Sequence, residues 1–257
     1  VGTRTHLGQK AMSTLSPIIH LHIPKTGGTS IRTFLGAHPF PGVTPCFPSR
    51  SRTCCGSESN LNTTFRAMNA SKCNMASDEW KYNEIVSRVP NARIITVLRD
   101  PSQEIRSQLE HDIRHKGRYR TPHEKLEIMS SKGYNINNEQ SRRLGLSDAN
   151  YDSIATFLKE RIYIIGITEY MWHTNCLISY KLKAFDASCD CRRMVKKQIK
   201  KNVHRDESVE YRSGDLIKMH ELVSHDRLLY NAAWSKFVQD LRTVERERGV
   251  SLLDCLR

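Results

Sequence analysis

The chain has 257 residues, enough to bury a substantial core in one α/β domain. Its 40 Lys and Arg against 27 Asp and Glu give a formal charge of +13, which points to an anionic ligand, an anionic polymer or a membrane surface. No run of about 18 apolar residues occurs, so no segment is expected to span a bilayer.

Residues 1–16 show no hydrophobic period and read as a tail. The chain opens on Val1 rather than Met, which leaves room for an upstream leader or anchor, and any membrane attachment is expected only through such an anchor. Residues 18–23 (IIHLHI) form a short β-branched strand ended by Pro24, and residues 29–35 carry Ile31, Phe34 and Leu35 at helical spacing. Residues 37–76 are rich in Pro, Ser, Asn and Cys, with prolines at 39, 41, 45 and 48, and read as a long excursion. Helix resumes over residues 78–89, with Asp78 as the expected N-cap. The apolar run at 92–100 (ARIITVLRD) is a buried parallel strand, and Pro101 then opens a helix that turns Ile105, Leu109 and Ile113 inward. Residues 116–150 are polar and basic, with short helices and loops. Residues 161–167 (RIYIIGI) are a third strand, followed by a helix to about Leu182 and two more helices at 207–222 and 225–248. Strands alternating with helices predict a single α/β domain over 17–257, a central parallel sheet with helices on both faces. The segments 37–76 and 116–150 are expected to form its acceptor-side loops.

The eight cysteines stand at 46, 54, 55, 73, 176, 189, 191 and 255, without zinc-ribbon spacing. Two sequons, at Asn62 and Asn69, share the cysteine-rich segment with four of them. Together they place the chain in an oxidising, secretory compartment with disulfides, and a cytoplasmic location is the alternative.

Ligands of parallel sheets bind at the carboxyl ends of strands. The first such end reads PKTGGTS, residues 24–30. Gly27 and Gly28 let backbone N–H groups converge on an anion, the following helix adds its N-terminal dipole, and Lys25, Thr26, Thr29 and Ser30 supply charge and hydroxyls. The lysine stands before the glycines, so the order is not that of a nucleoside-triphosphate P-loop. The second end reads VLRDPSQEIRSQL, where Arg99 and Ser107 can grip one phosphate, the arginine as a planar fork.

These two motifs in this order resemble the sulfotransferase superfamily, closest to the Golgi carbohydrate type that includes heparan sulfate 2-O-sulfotransferase. The second motif is similar to that family's form R-D-P-x-x-R-x-x-S. The resemblance implies a P-loop-like sulfotransferase fold and 3′-phosphoadenosine 5′-phosphosulfate as sulfuryl donor. Lys25, Thr26, Gly27, Gly28, Thr29 and Ser30 would lie on its 5′ side, and Arg99 and Ser107 at its 3′-phosphate. NNEQSRRLGL (137–146) and the IGITE strand end (165–169) are softer matches. A basic loop, KKNVHRD (200–206), would bring Lys201 over the nucleotide. The acceptor would be a hydroxyl of a carbohydrate or other small metabolite.

Transfer of a sulfuryl group needs charge stabilisation at the leaving oxygen, the role expected of Lys25, and no metal. It also needs a base for the acceptor hydroxyl. Related enzymes often carry a histidine where this chain has Asn74 and Met75, so the base is open; His111 and, after it, His22 are the candidates. The basic run Arg114, His115, Lys116, Arg118 and Arg120 suits a polyanionic acceptor. No nucleic-acid fold or interleaved aromatic platform accompanies it. Two other readings remain: a catalytically silent module that binds an anionic glycan, and a nucleotide-dependent phosphotransferase.

Overall fold

The computed structural model describes residues 16–46, 58–69, 73–116, 121–131, 137–193 and 210–256. A four-stranded parallel sheet forms the centre: β1 (Ile18–Leu21), β2 (Met75–Asp78), β3 (Arg93–Leu98) and β4 (Ile162–Ile167), in the order β2-β1-β3-β4. β1 is buried throughout, and β3 and β4 are buried except at Arg93 and Tyr163. Runs of Ile and Val suit this setting, because each face of each strand packs against other elements.

The helices are α1 (Gly28–Ala37), α2 (Glu58–Asn69), α3 (Tyr82–Arg88), α4 (Pro101–Lys116), α5 (Pro122–Ser131), α6 (Glu139–Leu144), α7 (Tyr151–Arg161), α8 (Met171–Lys181), α9 (Ser213–Leu222) and α10 (Ser224–Arg248). Most of them cover the sheet and join its core. α4 also buries Ile105 and Leu109 in a smaller cluster with Leu126 of α5 and Met219 and Val223. A buried ion pair, Lys125 Nζ to Asp112 at 2.6 Å, ties α5 to α4 beside that cluster.

Asp78 does not cap a helix. It is the last residue of β2, in register with Leu21 of β1, and α3 starts after Lys81. The four residues MASD carry too little pattern to announce a strand; pairing with β1 makes them one. The excursion after α1 also holds more structure than its composition suggests. α2 buries Phe65 and Met68, with Phe65 5.2 Å from the Trp80 ring. Asn62 and Asn69 therefore lie on a helix and not in a loop.

Among the described residues three disulfides tie the chain: Cys46–Cys73, Cys176–Cys189 and Cys191–Cys255. Cys54 and Cys55 lie outside the described residues. Among the described residues no helix is long and apolar enough to cross a membrane.

Candidate anion site at the sheet switch point

From β1 the chain leaves to β2 on one side, and it later returns through β3 on the other. The crevice between β1 and β3 is therefore the point where strand order reverses, the usual ligand position in such sheets. Residues 22–27 and Arg99 meet there.

The loop after β1 is a tight one. Lys25 has φ 62° and Gly27 φ 79°, both in the left-handed region, and Gly27 is the N-cap of α1 with no side chain closing the helix end. Gly28 is needed for a different reason: a β-carbon there would lie 1.7 Å from Cδ2 of His22, whose ring occupies that space. The Thr26 hydroxyl donates to the Ile23 carbonyl at 2.9 Å and is buried, so it braces the turn instead of facing outward. Thr29 and Ser30 are exposed on the first turn of α1.

Two neighbouring strand ends hold this loop from behind. Arg99 Nη1 donates to the Lys25 carbonyl at 3.1 Å. The Thr168 hydroxyl, just past β4, sits 2.6 Å from the Thr26 carbonyl and 3.0 Å from the Leu98 carbonyl, sharing one proton between them. Because a trans peptide is planar, a Thr26 carbonyl aimed at Thr168 turns the Gly27 N–H the opposite way. The loop's backbone is thus oriented by contacts far away in sequence.

Arg99 is itself clipped in place. Its N–H donates to Gln140 Oε1 and its carbonyl accepts from Gln140 Nε2, both at 3.0 Å. Gln140 opens α6, whose first N–H groups are held by the buried Asp226 of α10: Gln140 N at 3.1 Å and Ser141 N at 2.6 Å. Asp100 N donates to Glu169 Oε1 at 2.9 Å. Arg99 Nε is buried without a hydrogen-bond partner among the described residues. An orphaned guanidinium nitrogen beside an uncapped helix end fits phosphate or sulfate oxygens, and so fits a nucleotide phosphosulfate.

At 100° per residue, Glu104, Ser107 and His111 share one face of α4. Glu104 is 1% exposed, while Ser107 and His111 are half-buried. Arg106 belongs to another face, 4.7 Å from the centre of the Tyr211 ring and 3.6 Å from Glu110. Lys201 lies outside the described residues, as do Arg118 and Arg120.

On the β2 side, neither residue at the expected base position is suited to that role. Asn74 clamps the excursion, donating to the Gly42 carbonyl at 2.7 Å and accepting from Thr44 N at 2.6 Å. Met75 is fully buried. Nearby, His22 is buried and its Nδ1 lies 3.8 Å from Glu79 Oε1. Burial pushes its pKa below the usual 6.5, and the Glu79 and Asp78 carboxylates oppose that shift. His20, stacked 5.9 Å from His22, places Nδ1 2.8 Å from the Ser77 hydroxyl and is structural. Among the described residues, no group of three His, Cys, Asp or Glu side chains is placed to hold a metal ion.

Gln140, Thr168, Glu169 and Asp226 escaped sequence reasoning as site residues. The only signals were the softer matches around 137–146 and 165–169. The motif form R-D-P-x-x-R-x-x-S also hides a departure: its second arginine falls on Glu104.

No protein-family model matches the chain, and no curated protein matches it by sequence. Among solved structures, a sulfotransferase from Alicyclobacillus acidocaldarius superposes with a TM-score of 0.53 at 12% identity, over 87% of this chain and 99% of that one. The chain has a sulfotransferase fold. In this chain the β1 loop and the β3 end form the crevice described above, with the third support coming from Thr168 after β4.

Proposed function

We propose that the chain is a sulfotransferase that moves a sulfuryl group from 3′-phosphoadenosine 5′-phosphosulfate to a hydroxyl of a carbohydrate or other small metabolite in the secretory pathway, with the Golgi lumen as its place. The observation that carries this reading is the joint loop: Arg99, in the second motif, holds the carbonyl of Lys25, in the first, at 3.1 Å. That contact joins the two motif-bearing strand ends, which supports a single shared donor site. The three disulfides support a lumenal setting.

The nucleotide supplies the activated sulfuryl group. Lys25 meets the charge that develops on the leaving oxygen, aided by N–H groups at the start of α1. Thr29 and Ser30 offer hydroxyls on the 5′ side, and Arg99 with Ser107 receives the 3′-phosphate. His22 is the proton acceptor we favour: it is held neutral by burial, packed against Gly28, and faced by a carboxylate. His111, one turn beyond Ser107, is the second candidate.

The test is a melting experiment followed by an assay. Adenosine 3′,5′-bisphosphate at micromolar concentration is expected to raise Tm, and ATP with magnesium is not; no shift with the bisphosphate would sink the donor reading. Lys25→Ala is expected to keep its fold and lose labelled-sulfate transfer by about a hundredfold or more, the scale of losing one charge-stabilising donor. Full activity in that variant would remove Lys25 from the mechanism.

A further inference from the structure

Glu104 occupies the first turn of α4, on the helix face shared with Ser107. It is 1% exposed, and neither of its carboxyl oxygens has a hydrogen-bond partner among the described residues. Its backbone N–H donates to the Asp100 carbonyl at 2.8 Å, an ordinary first-turn contact that does nothing for the side chain. Buried polar groups are nearly always paired, so an orphaned acid at a strand-end crevice calls for a ligand.

Its surroundings identify which ligand. Arg99 and Lys25, the two cations of the proposed donor site, act on it electrostatically, and so does Asp226 from α10. Arg99 makes no ion pair with it: one arm of the guanidinium holds the Lys25 carbonyl and its Nε is orphaned as well. Two unpaired buried groups of complementary character thus stand at the β3 end, close enough for the arginine's charge to act on the acid. On the other side of α4, Leu126 of α5, Met219 of α9 and Val223 just past α9 pack together, and Lys125 there is committed to Asp112. Burial first, then Asp226, pushes the Glu104 carboxyl up to about 8, while Arg99 and Lys25 pull against that rise. Burial therefore favours the uncharged carboxyl, a hydrogen-bond donor.

We propose that Glu104 is a proton-linked element of the donor site, its protonated carboxyl donating a hydrogen bond to a phosphate oxygen of the bound nucleotide and its ionised form repelling the same oxygen. The proposal rests on the donor reading above. Each nucleotide bound then fixes one proton on Glu104. Above the acid's own pKa the apparent affinity falls about tenfold for each pH unit, because only the protonated fraction binds. Lys25, Arg99 and Asp226 face the same space and remain in place in the comparison below, so their titration is common to both proteins.

The experiment is calorimetric titration of the protein with adenosine 3′,5′-bisphosphate between pH 7 and pH 9, in two buffers of different ionisation heat, alongside Glu104→Gln. Wild type is expected to take up a growing fraction of a proton per nucleotide, approaching one at pH 9, while its Kd weakens toward the tenfold slope. Glu104→Gln is expected to lack that rise in proton uptake and to hold its Kd within about twofold. Coincident pH profiles without proton uptake overturn the proposal and leave the donor site standing. Failure of the bisphosphate to bind either protein at any pH overturns the donor site and this proposal with it. Should Glu104→Gln not fold, Glu104→Ala takes its place in the same comparison.

Discussion

The ring of His22 and the hydrogen of Gly28 share a space that no larger residue at 28 permits, since a β-carbon would come within 1.7 Å of the imidazole. This contact keeps the ring against the loop that carries Lys25. Its charge state follows from opposed influences: burial lowers the pKa from 6.5, and Glu79, the largest opposing charge, raises it. A base acts only when unprotonated, so transfer should be fully active at pH 7 and fall on an acidic limb below pH 6.5. Glu79→Gln removes the largest raising influence and should move that limb to still lower pH. Initial rates against pH with labelled donor test this, and a limb that stays in place in the variant would take His22 out of the proton transfer. At this scale the motifs made Lys25, Gly27, Gly28 and Arg99 legible, because backbone conformation and charge demand those residue types locally. Gln140 and Asp226 were not legible. They act on backbone groups 41 and 86 residues away, and no local pattern encodes such a partner.

Among the elements, β1, β3 and β4 stand out in the sequence as continuous apolar runs, and α4 by its proline and its inward Ile105 and Leu109. β2 is invisible by the same criteria: it has four residues, and its strand state is conferred by pairing with β1. α2 is likewise hidden in a segment whose Pro, Ser and Asn content reads as loop. The Cys46–Cys73 disulfide spans 27 positions and closes this excursion at its base. In the chain-entropy account, a loop of that length contributes about 3.5 kcal/mol by restricting the unfolded chain. The double variant Cys46→Ser/Cys73→Ser should therefore lose about 3 kcal/mol in denaturant titration. It should still show the Tm increase with adenosine 3′,5′-bisphosphate, since the switch-point crevice draws on β1, β3 and β4. Loss of that increase would mean that the excursion shapes the donor site as well.

For the whole molecule, a charge of +13 gives any anionic acceptor a long-range attraction that salt screens, with a Debye length of about 8 Å at physiological ionic strength. Association with a partly sulfated glycan should weaken steadily as sodium chloride rises from 50 to about 500 mM, while a neutral glycan of equal length shows no such trend. Salt-independent binding of the sulfated glycan would count against a polyanionic acceptor. The strand order β2-β1-β3-β4 brings the two motifs to one crevice, although 74 positions separate Lys25 from Arg99. The sequence order of motifs implied that meeting, but only the sheet accounts for it.

The outer edge of β2 has a consequence of its own. Pro45 forms a single parallel bridge with Met75, with Cys46 N donating to the Met75 carbonyl at 2.7 Å. Proline offers no N–H to a further strand, and the disulfide at the next residue anchors it there. The staple therefore also guards a sheet margin. Once it is reduced and the segment peels away, the backbone of β2 becomes a template for strand-to-strand self-association. In a thiol-rich environment the protein is therefore expected to self-associate through this edge, read as rising light scattering on reduction.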